Sequence, residues 1–396
     1  MKIDSINLKI IPDSRGNDTL EAEMVSEGIS VSASVPSGKS KGKREAAVLV
    51  PAKALEKIDW IFSQIKETQF PTLDQFDNLL LTLDGTSNKE RLGGNLILVL
   101  SIAFTKLLAK LGNLEIYELI AKLVGTRIEK MPFCFFNLIE GGTHAQNSLP
   151  FQEYLVIPQT SSPKESLEQV MIIIKGVGEQ IQKKYGQLNI GDEGGYTIPS
   201  DDPLVGLEIL QGETLRGTAR GDLAKVGLDV AASTFFENGK YNVGGKLMER
   251  GELLDFYKQI TADFDILSIE DPFDEEDFEG FENITQTLGE KVWIIADDLT
   301  TTNPLKIKEA EDKKAANAII IKPNQIGSVS ETLQAAKIAK SYGWKIIVSH
   351  RSGETLDTFI SDLAVGLSAD GLKAGCPLQK ERLVKYQRLV EIERNL

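Results

Sequence analysis

Polar and apolar positions follow two regimes along the chain. In the first third, Ile29, Val31, Ala33 and Val35 alternate with Ser30, Ser32 and Ser34, the period-two pattern of a strand with one buried face. Leu20, Ala22 and Met24 alternate just before it, and Glu27-Gly28 lies between the two runs, so the pair reads as a hairpin. A turn-forming segment, residues 13–18, precedes them. From Pro51 the spacing becomes helical. Gly94-Asn95 opens a helix through Leu111 that is apolar on nearly every side, which predicts burial between larger units. Gly112-Asn113 is its predicted end.

From about residue 131 short apolar runs alternate with amphipathic helical stretches. The runs fall at 226–228, 266–269, 292–296, 318–321 and 346–349, with helical spacing at 304–316, 328–342 and 354–367. Continuous β-branched runs separated by helices predict parallel strands covered by helices. There is no low-complexity segment and no sequence repeat.

Each run ends on an ionisable residue: Asp229, Glu270, Asp297, Lys322 and His350, with Lys373 following Gly371-Leu372. In a closed parallel barrel all such strand ends meet at one rim, so residues far apart in sequence converge. Three carboxylates placed together cannot all stay ionised without a cation, and hard oxygen ligands suit Mg²⁺. Asp297, Ser349 or Ser352 could each be a helix cap, but caps require neither a lysine nor three acids on successive strands. Glu193 sits in Gly191-Asp192-Glu193-Gly194-Gly195, where the glycines allow close backbone approach or simply a turn. Gln152-Glu153 lies in the strand-like stretch 151–157, where a polar pair wants a polar partner. Of the two histidines, His350 belongs to the rim series and His144 follows Gly141-Gly142-Thr143. Gly38-Lys39-Ser40 is a decoy for a phosphate-cradling loop, since Ala33 stands where that motif needs glycine. Residues 36–43 read instead as a mobile lid.

Composition narrows the partners. A length of 396 residues suggests two or three domains, or one large barrel with an appendage. A net charge of −14 argues against nucleic acid and anionic membrane as partners, because both would repel the mean field. A hydrophobic content of 41% with 26% charged residues fits a chain that folds around a core. Cys134 and Cys376 are too few for a disulfide framework and read as buried thiols in a reducing compartment. The N-terminus has no signal-peptide pattern, and the apolar stretch 96–104 is short for a membrane span. A cytoplasmic location is therefore expected.

Taken together, these motifs resemble the enolase family. The match runs from Asp13-Ser14-Arg15-Gly16-Asn17 through Val35-Pro36-Ser37-Gly38, Leu83-Asp84-Gly85-Thr86, His144-Ala145, Gln152-Glu153 and Gly191–Gly195. It continues through Gly227-Leu228-Asp229, Ser268-Ile269-Glu270-Asp271-Pro272, Asp297-Asp298-Leu299-Thr300, Lys322-Pro323-Asn324-Gln325 and Ser349-His350-Arg351-Ser352-Gly353. The resemblance implies an α/β fold: an N-terminal α+β capping or lid domain (residues 1–125) followed by an enolase-type, TIM-like α/β barrel (126–396). It implies Mg²⁺-dependent reversible dehydration of 2-phosphoglycerate to phosphoenolpyruvate in glycolysis. It implies two Mg²⁺ sites, the second substrate-dependent, and a homodimer or an assembly of dimers. By motif, Asp229, Glu270 and Asp297 would hold the first metal and Ser40 the second. Lys322 would be the base and Glu193 the acid. Arg351 and Ser352 would bind the phosphate, and Lys373 and His350 the substrate. His144, Gln152 and Glu153 would line the site. Two dications and burial are expected to push Lys322 toward its neutral form, and Glu193 has to carry a proton.

The chain departs from the family pattern at Lys39 and Lys41 in the lid, at Glu140 before the Gly-Gly pair, at Gln146, at Thr234 and in residues 379–382. Two alternatives follow: another Mg²⁺-dependent enolate-forming lyase, or an enolase-like binding or scaffold partner with weak catalysis.

Overall fold

The computed structural model describes residues 1–39, 42, 44–145, 149–217 and 224–396. Ser40, Lys41 and Gln146 lie outside the described residues. Three antiparallel strands open the chain, Ser5–Pro12, Asp18–Ser26 and Ile29–Ser34. Glu27 and Gly28 both adopt positive φ, the backbone that matches a two-residue hairpin to strand twist. The alternation predicts this pair correctly, with Leu20, Ala22, Met24, Val31 and Ala33 buried. Four helices follow: Pro51–Ile65, Leu73–Asp84, Gly94–Leu111 and Ile116–Val124. The all-apolar helix is where its pattern puts it. Among the described residues it alone is long and apolar enough to cross a membrane, yet most of it is buried inside the fold. It packs on the second and third strands and the neighbouring helices.

Eight strands then close a barrel in the order Phe133–Glu140, Glu153–Pro158, Ala224–Asp229, Ile266–Glu270, Trp293–Ala296, Ala318–Ile321, Lys345–Ser349 and Gly371–Lys373, the last pairing with the first. Glu153–Pro158 runs antiparallel to both of its neighbours and the rest are parallel. That reversal matters for the site. An antiparallel strand begins at the rim where parallel strands end, so Glu153 pairs directly with Asp229, and Asp229 with Glu270. Inside the barrel Leu155, Ile295, Ile320 and Ile347 share a small apolar cluster with Phe135, Leu267 and Ala318. Strand side chains alternate faces, so Glu153, Asp297 and Lys322, two residues from Leu155, Ile295 and Ile320, share the inward face. The larger core lies between barrel, helices and N-terminal strands. Cys134 and Cys376 are free and buried, and burial pushes both thiols up to about 12.

The N-terminal unit is stitched to the rim. Ser37 and Gly353 exchange backbone hydrogen bonds of 2.8 and 2.9 Å. A Cβ on Gly353 would lie 2.1 Å from Asp13 Oδ2, so only glycine lets the two segments approach. Arg351 donates through both terminal nitrogens to Glu45, at 2.9 and 3.0 Å.

Candidate active site

One cleft, with about 540 Å³ of empty space, is lined by Glu153, Glu193, Asp229, Asp297, Lys322 and Lys373 together with Lys39, His144, Gln152, His350, Arg351 and Ser352. Apart from Ser40, every candidate site residue carried over from the motifs lines this cleft or, like Glu270, contacts a side chain that does. Lys373 Nζ lies 2.9 Å from Asp229, 2.8 Å from Glu270 and 3.2 Å from Glu153. Lys322 Nζ is in close contact with Asp297 Oδ2, and Gln325 donates to Asp297 Oδ1 at 2.9 Å. Gln152 donates to Asp229 at 3.2 Å. Gln152-Glu153 thus finds the polar partners its strand position demands.

The protein's own charges, before any metal or substrate is counted, favour for both groups the protonation state opposite to the one expected in catalysis. Burial pushes the Lys322 ammonium toward its neutral form, but the Asp297 carboxylate outweighs it and holds the pKa above the ordinary lysine value. Glu193 is likewise held well below the usual carboxylate range: burial opposes ionisation, and His350 and His144 outweigh it. The tautomer explains the geometry. Arg382 Nη1, which can only donate, lies 2.5 Å from His350 Nδ1. That nitrogen must accept, so neutral His350 carries its proton on Nε2 and points it at Glu193 Oε2, 3.2 Å away. Burial keeps His350 neutral, with its pKa lowered to about 4. Asn137 Nδ2 donates to the same Glu193 oxygen at 3.2 Å.

The acids outnumber the lysines, and the excess shows as raised proton affinity. Burial and Asp229 lift Glu270 to about 8, burial and Asp297 lift Asp298 to about 7, and burial with Glu193 raises Glu153 well above its ordinary value. Glu270 Oε1 is buried without a hydrogen-bond partner. An all-carboxylate donor set with an orphaned oxygen fits a hard divalent cation. Among the described residues, two sets bring ligand atoms within 4.8 Å of one another: Asp271, Asp297 and Asp298, and His144, Glu153 and Glu193. Asp229, Glu270 and Asp297 are not such a set; the Lys373 ammonium is seated on the first two and that of Lys322 on Asp297. The second set also holds Glu193, the carboxylate that faces both histidines.

Backbone strain gathers at the same rim. Ala231, Asp271, Thr301 and Thr302 have φ between 43 and 55°, a region non-glycine residues occupy only where surrounding structure enforces it. Asp271 shows how: its two oxygens accept from Asp297 N at 2.9 Å and Asp298 N at 2.8 Å, aiming the next strand's end into the cleft. Asn137, Glu45, Asp271 and Arg382 carry parts of the site that sequence patterning alone misses. Arg382 lies in a run recognised only as a departure, and Glu45 has no local signal.

Two family models match the chain: Enolase, N-terminal domain, over residues 3–120, and Enolase, C-terminal TIM barrel domain, over 128–396. Enolase of Solanum lycopersicum is 40% identical over 425 residues, covering all of this chain and 95% of the relative. Enolase of Thermococcus gammatolerans is 40% identical over 412 residues with the same coverage. Enolase of Pyrococcus furiosus is 41% identical over 403 residues, covering 98% of this chain and 93% of the relative. With the barrel, its acidic rim and matches that span the whole length, the chain belongs to the enolase family.

Proposed function

We propose that the protein is a phosphopyruvate hydratase, dehydrating 2-phospho-D-glycerate reversibly to phosphoenolpyruvate and water with Mg²⁺. The observation that carries this reading is one rim holding a lysine seated on a carboxylate (Lys322, Asp297) together with a carboxyl oriented by a histidine of fixed tautomer (Glu193, His350). Lys322 Nζ takes the proton α to the substrate carboxylate, and the C–H electron pair moves into the forming double bond. Glu193, protonated in the substrate complex, gives that proton to the departing hydroxyl, which leaves as water. His144, Gln152 and Glu153 surround that hydroxyl, and Lys373 neutralises the substrate carboxylate. Arg351 and Ser352 bind the phosphate, with His350 behind them, and Arg351 exchanges Glu45 for the phosphate when substrate enters. Asp229, Glu270 and Asp297 would hold a divalent cation, which would supply positive charge to the site and draw Asp297 away from Lys322.

A second Mg²⁺ arriving with substrate at Ser40, a homodimer or assembly of dimers, a cytoplasmic location and a division into residues 1–125 and 126–396 belong to the same proposal. The helix Ile116–Val124 and the first barrel strand flank that division. Purified protein with Mg²⁺ is expected to convert 2-phosphoglycerate to its ultraviolet-absorbing enol product. EDTA abolishes the conversion and added Mg²⁺ restores it. Folded, Mg²⁺-supplied protein that turns over none of this substrate would overturn the proposal.

A further inference from the structure

Loop 191–195 carries Glu193, and the barrel strand Phe133–Glu140 ends beneath it. Its last residue, Glu140, is completely buried. Glu140 Oε1 accepts from Gly195 N at 2.6 Å, and its two oxygens lie 3.2 and 3.1 Å from Glu193 N. The loop is moulded to this carboxyl: a Cβ on Gly191 would fall 2.2 Å from Oε2, and one on Gly195 2.9 Å from Oε1. Cys376 N donates to Glu193 O at 3.0 Å from the other direction. The Glu193 backbone is therefore gripped between Glu140 and Cys376, while its side chain meets His350 and Asn137.

We propose that Glu140 is a positioning residue for Glu193, clamping loop 191–195 so that the Glu193 carboxyl stays aligned with the His350 Nε2–H. Glu140 does not reach the cleft itself, so it acts only through Glu193. Among the described residues, the charged or titratable groups that act on it include Glu193, Arg382 and Cys376, and Glu153 is its register partner on the neighbouring strand. Burial and the Glu193 carboxylate strengthen Glu140's hold on its own proton, and Arg382 opposes them. A neutral carboxyl that accepts N–H bonds is closely imitated by a glutamine amide, and this sets the test.

The inference rests on the proposed activity, and the experiment separates the two. In Glu140→Ala we expect kcat to fall about 10²-fold, with KM within about three-fold of wild type, as for a catalytic group displaced by an ångström. Amide exchange in residues 191–195 is expected to accelerate at least about ten-fold, as a clamped loop opens. Glu140→Gln should restore kcat to within about five-fold of wild type. Wild-type kcat and exchange in folded Glu140→Ala would overturn the proposal, as would equal losses in kcat and 1/KM, or a Glu140→Gln no better than the alanine variant. If Glu140→Ala does not fold, Glu140→Asp, whose carboxyl is one methylene short of the loop, takes its place with the same expected kcat loss and exchange. If wild type proves inactive, the activity reading fails and the exchange comparison alone decides for or against the clamp.

Discussion

Lys322 and Glu193 are each poised by neighbours that sequence alone does not reveal. An ammonium on a buried carboxylate is stable, so under the proposed mechanism Lys322 can act as the base only once Asp297 is otherwise engaged. Lys322→Ala is expected to slow turnover by about 10²–10⁴-fold, the range for a positioned acid–base group, and to lower thermal stability, because it leaves the buried Asp297 carboxylate without its ammonium partner. A milder effect in folded enzyme would mean that another group takes the proton. The six strand-end residues were legible because each closes a buried apolar run with a charge. Their partners were not: Arg382 fixes the His350 tautomer from a helix 32 residues downstream, and no local pattern announces such a contact. The expectation that Lys322 leans toward neutrality rests on bound cations and burial; among the protein's own groups the Asp297 carboxylate acts the other way.

At the scale of elements, apolar periodicity located most strands and the helix Gly94–Leu111. It missed Ser5–Pro12, although Ile6, Leu8 and Ile10 alternate there with Ser5, Asn7 and Lys9; only Leu8 of that strand is buried. The helical spacing over 354–367 resolves as Phe359–Gly366 alone. Glu354 is instead spent on the loop, accepting from Arg351 N and Thr355 N and pairing with Lys385 at 2.8 Å. Between elements, Asp77 joins the helix Leu73–Asp84 to Ser330 N at 2.9 Å, at the start of Val329–Ser341. Burial raises its pKa from 3.8 to about 6. A folded-state acid raised in this way keeps its proton while the unfolded chain loses it. Stability is then full below about pH 4 and declines as pH rises through 6. Asp77→Asn should erase that decline and gain on the order of 1–3 kcal/mol at pH 7, read as denaturation midpoints at pH 4 and pH 7. Equal pH dependence in the two proteins would contradict the assignment.

Over the whole molecule, the fold gathers acids from most of the barrel strands on a chain already at −14, and that concentration has a thermodynamic consequence. A cation that binds only the folded state stabilises it by mass action, about 2.7 kcal/mol at a hundred times its dissociation constant. Mg²⁺ should therefore raise the unfolding temperature of the wild type and leave Asp297→Asn nearly unmoved. An equal rise in both would place the metal elsewhere. The architecture was readable because parallel strands and their helices repeat at a regular spacing. The antiparallel strand that brings Glu153 to the rim was not, because direction leaves no trace in a buried run.

The division of labour between Lys322 and Glu193 is tested most directly by following exchange of the 2-phosphoglycerate α-proton with deuterated solvent by NMR, alongside product formation. The account predicts that Glu193→Gln keeps exchanging the proton while forming almost no phosphoenolpyruvate, and that Lys322→Ala loses both. Exchange that survives in Lys322→Ala and vanishes in Glu193→Gln would contradict it.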